Sequence, residues 1–185
     1  MLFSGYLTTT GIHEDEIYQL RIPNNEVHTF FKKSFIDGFL SGYGPFIEMV
    51  QFLRHGRLKE FAERMQKIFM CSASSFDSAQ DEKYYHMFIF GMMLIMKNDY
   101  EIKSNDENGY GRSDLVIKPY DKNKIGFVFE FKVADSEADL EKKAKEALEQ
   151  IEEKKYYVPM IEDGIKNVIK IGMAFYKKKI CMLTN

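Results

Sequence analysis

A chain of 185 residues with 45% hydrophobic content can bury a sizeable core without staples, and it has room for one domain plus an appendage. A net charge of −2 lacks the basic excess that usually marks a nonspecific nucleic-acid binder, so any contact with nucleic acid must be local. The two cysteines, Cys71 and Cys181, form no CxxC pair, which argues against a zinc ribbon or a disulfide framework and favours a reduced, cytoplasmic protein.

In chain order, Leu2 to Thr8 and Ile17 to Ile22 are β-prone runs joined by a polar stretch, Gly11 to Glu16, that suits a hairpin. Pro23-Asn24-Asn25 then breaks the chain and caps a helix carrying Val27, Phe30, Phe31 and Phe35 toward Leu40. A second helical stretch runs from Phe46 to about Met70, divided near His55-Gly56. Cys71 to Asp81 is rich in Ser, Ala and Asp and reads as a connector. The expected division is therefore a hairpin and helical part over 1–76 and a second domain over 77–185.

Ser78 and Asp81 resemble a capping pair for a helix that is apolar on nearly every face from Tyr84 to Met96, which predicts its burial. Its most apolar part, Met87 to Met96, is about half the ~20 residues a bilayer span requires, so no membrane is expected. Three strands follow, Tyr100 to Asn105, Arg112 to Lys118 and Ile125 to Val133, with links short enough to imply antiparallel neighbours. Ser136 and Asp139 open a helix with Leu140, Ala144, Ala147, Leu148 and Ile151 on one stripe, which Pro159 stops. Val168 to Phe175 and Ile180 to Leu183 close the chain. The fold class is α/β, a mixed sheet flanked by helices.

Chemistry concentrates in two strands. In Ile125 to Val133 the odd positions are all apolar and share a face, because side chains alternate along a strand. The even face then carries Val128, Glu130 and Lys132. The preceding strand repeats the pattern with Asp114 and Val116, so pairing the two brings Asp114 toward Glu130. Close, buried carboxylates are disfavoured unless a cation lies between them. Magnesium suits the pair, since it takes one or two carboxylates and keeps several waters. Lys132 would then orient the attacking water and offset phosphate charge. The bland alternative is a structural Glu130 and Lys132 pair on a solvated sheet face.

Gly109-Tyr110-Gly111-Arg112-Ser113-Asp114-Leu115-Val116, with Glu130-Phe131-Lys132 beginning sixteen residues after Asp114, resembles the PD-(D/E)xK, or restriction-endonuclease-like, nuclease superfamily. The order from Glu82 onward, helix, three strands, helix and strand, is similar too. Glu82 to His86 and Ala147-Leu148-Glu149-Gln150-Ile151 to Tyr156 further resemble the bacterial subfamily found behind an ATPase-like domain. That resemblance implies catalytic roles for Asp114, Glu130, Lys132, Glu82 and Gln150, with Asp114, Glu130 and Glu82 around Mg²⁺ or Mn²⁺. The resemblance aligns Tyr156 as the tyrosine that accompanies Gln150, yet on a continuous helix Tyr157 shares that edge while Tyr156 falls on another face. His86, one turn after Glu82, could approach the site but reads more simply as a core residue.

Gly5-Tyr6-Leu7-Thr8 and Leu20 to Val27 look like the segment joining ATPase-like and nuclease-like parts in longer relatives, although the chain contains no GxxxxGK[ST] loop. The expected activity is a metal-dependent phosphodiesterase on DNA, with RNA left open, working through a Mg²⁺-activated water. Expected partners besides nucleic acid are a separate ATPase-like protein and a second copy of the chain in a homodimer. The competing reading is a nuclease fold that has lost turnover and binds nucleic acid or protein.

Overall fold

The computed structural model describes residues 8–13, 17–21, 24–26, 43–71, 82–108 and 111–185. The chain divides into two compact units, Met1–Gly44 and Pro45–Asn185. In the first unit, β1 (Thr8–His13) pairs antiparallel with β2 (Ile17–Arg21) from Thr8 opposite Arg21 to His13 opposite Ile17, with a bulge between Thr9 and Gly11. The hairpin is therefore present, but β1 takes in Gly11 to His13, which composition alone assigns to the turn. The Leu2 to Leu7 part of the expected strand lies outside the described residues. So does the expected helix from Val27 to Leu40, apart from a start at Asn25 and Glu26.

The second unit is built on a five-stranded mixed sheet of β3 (Tyr100–Asn108), β4 (Gly111–Pro119), β5 (Gly126–Val133), β6 (Val168–Tyr176) and β7 (Lys179–Thr184), in that spatial order. β3, β4 and β5 are antiparallel neighbours, as their short links dictate. β5 and β6 run parallel, which requires the long crossover between them. The β3–β4 pairing continues to Asn108 opposite Gly111, so both strands reach into the stretch read as a turn.

One side of the sheet is covered by α1 (Tyr43–Arg54), α2 (Leu58–Cys71) and α3 (Glu82–Met93). Gly56, at φ +69°, makes the break between α1 and α2 that the His55-Gly56 gap predicts. The covering is aromatic. Phe61 meets Phe129 edge-on, and Phe69 and Tyr85 stack on Phe175, which packs against Phe131. Burying these rings stabilises the unit at ~25 cal/mol per Å² of apolar surface. The expected boundary at residues 76 and 77 lies outside the described residues, but the helices before it belong to the same unit as the sheet. α3 is only half buried: Tyr85, Ile89, Met92 and Met93 face inward, while Tyr84 and Met87, and Leu94 just after the helix, are exposed. A single sheet takes up one face of a helix, so an all-round apolar pattern leaves the far side bare.

The opposite side is covered by α4 (Leu140–Lys154) and the short α5 (Val158–Glu162). Here the side chains are small. Ala144 packs with Leu140, Ala134 and Ala174, while Ile151 joins Val116, Val128, Tyr156, Met160 and Ile165. At Gly172 the backbone of α4 comes so close that a Cβ would lie 2.6 Å from the Leu148 nitrogen and collide with the Ala144 carbonyl oxygen. Glycine in an apolar strand here permits close approach of helix to sheet. α4 ends at Lys154 because Lys155 is left-handed (φ 56°), and Pro159 begins α5 rather than stopping α4. No described helix is long and apolar enough to cross a membrane.

Candidate functional site

The β4–β5 ladder runs from Ile117 opposite Phe127 to Leu115 opposite Phe129, and the next step would set Asp114 against Glu130. There the ladder stops, and the Asp114 carboxylate takes over: its Oδ2 accepts the Phe131 backbone N–H at 2.8 Å. Asp114, Val116, Val128, Glu130 and Lys132 all lie on the α4 side of the sheet, as alternation requires. The two acids thus stand side by side where the strands part company.

Glu130 is 2% exposed, so it does not belong to a solvated face. Its Oε1 accepts a bond from Lys132 Nζ at 3.3 Å and another from Gln150 Nε2 on α4. Its Oε2 is buried with no hydrogen-bond partner among the described residues. Burial first, and then the neighbouring Asp114, push the Glu130 carboxyl up to about 8. Burial likewise raises Asp114, against the Phe131 N–H, His86 and Lys132, which all favour its charged form. A carboxylate pair that resists ionisation, with one oxygen lacking any partner, fits a divalent cation held between its members.

The structure brings together Asp114, Glu130 and Lys132, which strand patterning singles out, and Gln150, which the resemblance implies. Glu82 lies on the first turn of α3, a turn before His86. Among the described residues no three His, Cys, Asp or Glu side chains cluster as a ligand set, so the structure does not draw Glu82 into one with the carboxylate pair. His86 is indeed buried, bonded through Nε2 to Ser104 Oγ at 2.9 Å and packed on the Phe131 ring. It nevertheless lies near enough to Asp114 to favour its charged form.

The tyrosine follows the resemblance and departs from the helical phase. Tyr156, not Tyr157, meets the glutamine: Gln150 Nε2 lies 3.3 Å from the Tyr156 hydroxyl oxygen. Helical phase fails because α4 ends before Tyr156, and the left-handed Lys155 swings the chain back over the sheet. Tyr157 instead receives Lys170 over its ring. Gly172, aligned with Glu130 on the neighbouring strand, was also missed. It lets α4 come close enough for Gln150 to reach Glu130, and its isolation within an apolar strand was the available signal.

The sequence model of the PD-(D/E)XK nuclease superfamily matches residues 80–185, which include all of these groups. No curated protein matches the chain. With more than half of its length matched and the mixed sheet between helices in place, the chain belongs to the PD-(D/E)XK nuclease superfamily.

Proposed function

We propose that this chain is a metal-dependent phosphodiesterase that cleaves DNA. The observation that carries the reading is the pairing of half-buried Asp114 with buried Glu130, with Glu130 Oε2 left without a partner among the described residues and Lys132 Nζ beside Oε1. Asp114 and Glu130 would hold the cation, taken here as Mg²⁺ or Mn²⁺, which supplies Lewis acidity toward phosphate oxygens and acidifies water when bound. Gln150 and Lys132 occupy Glu130 Oε1 and so leave Oε2 for the ion. Tyr156 braces Gln150 from behind. Lys132, 26% exposed at its side chain, can turn its ammonium toward a phosphate and offset the charge that develops there.

The test is cleavage of supercoiled, linear and single-stranded DNA with Mg²⁺ or Mn²⁺ by the wild type, Asp114→Ala, Glu130→Ala and Lys132→Ala. Cutting by wild type alone, with at least a hundredfold loss in each variant, is expected. Cutting that survives Glu130→Ala sinks the reading. Gly5 to Thr8 and Leu20 to Val27, which resemble the segment joining ATPase-like and nuclease-like parts, also support an association with an ATPase-like protein, to be sought by co-purification from the native host.

A further inference from the structure

A trough runs from Tyr156 along the α4 side of β3 and β4 toward Tyr120. It consists of two adjoining depressions, of about 140 and 250 Å³, that share Glu101, Lys118 and Asp163. The inner depression adds Lys103, Val116 and Tyr156, and the outer adds Tyr120 and Lys122. The inner one therefore starts two residues along β4 from Asp114 and is walled by the tyrosine that braces Gln150.

Its lining carries three lysines against two acids, with a tyrosine at each end, and Lys118 pairs with Asp163. Lys118 first, then Lys122 and Lys103, hold the Asp163 carboxyl below its usual range, so three ammonium groups converge on one acid. Glu101 is the other acid, and it pairs with Lys103 at 3.3 Å. At the inner end the stem of Lys154 lies against Gly111, beside the Tyr156 hydroxyl. At the outer end Tyr120 is 65% exposed, a large ring that contributes little to the core.

We propose that this trough carries a single DNA strand to or from the Asp114 and Glu130 pair, with lysines along the phosphates and Tyr120 as a stacking surface for a base. The inference rests on the nuclease reading and specifies its substrate. A lysine-lined groove with an exposed aromatic ring is how proteins track one strand without reading its sequence. Each depression is smaller than the roughly 300–1,000 Å³ of an enclosed small-molecule pocket, which suits successive nucleotides laid in a shallow channel. At the strand rise of ~3.3 Å per residue, Lys118 lies about 13 Å along β4 from Asp114. With ~3.4 Å of axial rise per phosphate in a stacked strand, that is about four nucleotides from the scissile bond, and fewer if the strand is extended.

The experiment is fluorescence anisotropy of labelled oligo-dT, oligo-rU and a DNA duplex of equal length, with the full chain in Ca²⁺, across a salt series. Wild type, Tyr120→Ala and Lys122→Ala are compared, both substitutions being at exposed positions, and thermal melting verifies folding. Tyr120→Ala is expected to weaken single-strand binding about tenfold. Lys122→Ala should flatten the salt dependence by about 0.7 in log–log slope. Duplex binding should stay unchanged in both. Single-strand affinity unaltered by either substitution, equal losses for single strand and duplex, or a preference for oligo-rU overturns the proposal. Tyr120-dependent binding by a wild type that cuts nothing with Mg²⁺ or Mn²⁺ sustains the trough and overturns the nuclease reading instead.

Discussion

The two faces of β5 differ although their residues alternate one by one. Toward α2 and α3 stand Phe127, Phe129 and Phe131, in a packing of large rings with His86 against Phe131. Toward α4 stand Val128, Glu130 and Lys132, covered by alanines and by a helix that touches the strand backbone at Gly172. The first face supplies stability. The second has given some up, since it holds two carboxylates that burial drives toward neutrality. A single strand thus lets the aromatic side carry the folding while the small-residue side presents a charged pair at a fixed distance from a helix.

The contrast breaks most severely on the aromatic side. Phe129→Ala removes a fully buried ring from contact with Phe61 and Phe131, and it should cost about 3–5 kcal/mol in urea unfolding. A loss below about 1 kcal/mol would mean that this face is not the main support.

On the other face the sign reverses. Glu130 has its folded pKa raised to about 8, so its protonated form is the one the fold favours. The associated stability is complete below the unfolded value near 4.3 and is lost as pH rises through about 8, on the order of a few kcal/mol. With a chelator present, wild type should therefore weaken between pH 5 and 9, and Glu130→Gln should be the more stable protein at pH 9. Added Mg²⁺ or Mn²⁺ should restore the wild type at pH 9 without helping the variant. A Gln variant less stable than wild type under those conditions contradicts the assignment of strain to this carboxylate.

The smallest of the three effects sharpens the role of close approach. Gly172→Ala places a methyl group against the backbone of Ala144 and Leu148 and should cost about 1–3 kcal/mol. The same change should cut activity at temperatures where the variant is folded, because α4 must retreat and draw Gln150 away from Glu130. Full activity in a folded Gly172→Ala protein would show that the glutamine is not needed at that distance.

Much of this arrangement is legible in the sequence because it depends on short periods. Alternation in Ile125 to Val133 separates the two faces of β5, and the paired pattern around Asp114 predicts its approach to Glu130. The apolar stripe from Leu140 to Ile151 places the covering helix. What escapes is set by other parts of the chain. Whether Glu130 and Lys132 face water depends on α4, which arrives from a later segment, so alternation alone leaves a solvated face open. The exposed side of α3 is invisible because apolar residues surround that helix whether or not a second layer covers it. Tyr156 is reached through the resemblance and not through helical phase, which assumes a continuous helix that a non-glycine residue in a left-handed conformation defeats.

That left-handed Lys155 makes α4 a measuring device. Leu148 is the point at which the helix rests on Gly172, and Lys155, seven residues or about two turns later, is where it stops. Gln150 lies between these marks and Tyr156 just beyond the second. One residue added between contact and stop would turn everything after it by about 100° and lift the tyrosine off the glutamine. Substitutions on the outer surface of α4 leave the count intact, so the length of this short span, more than its composition, keeps the two polar groups in step.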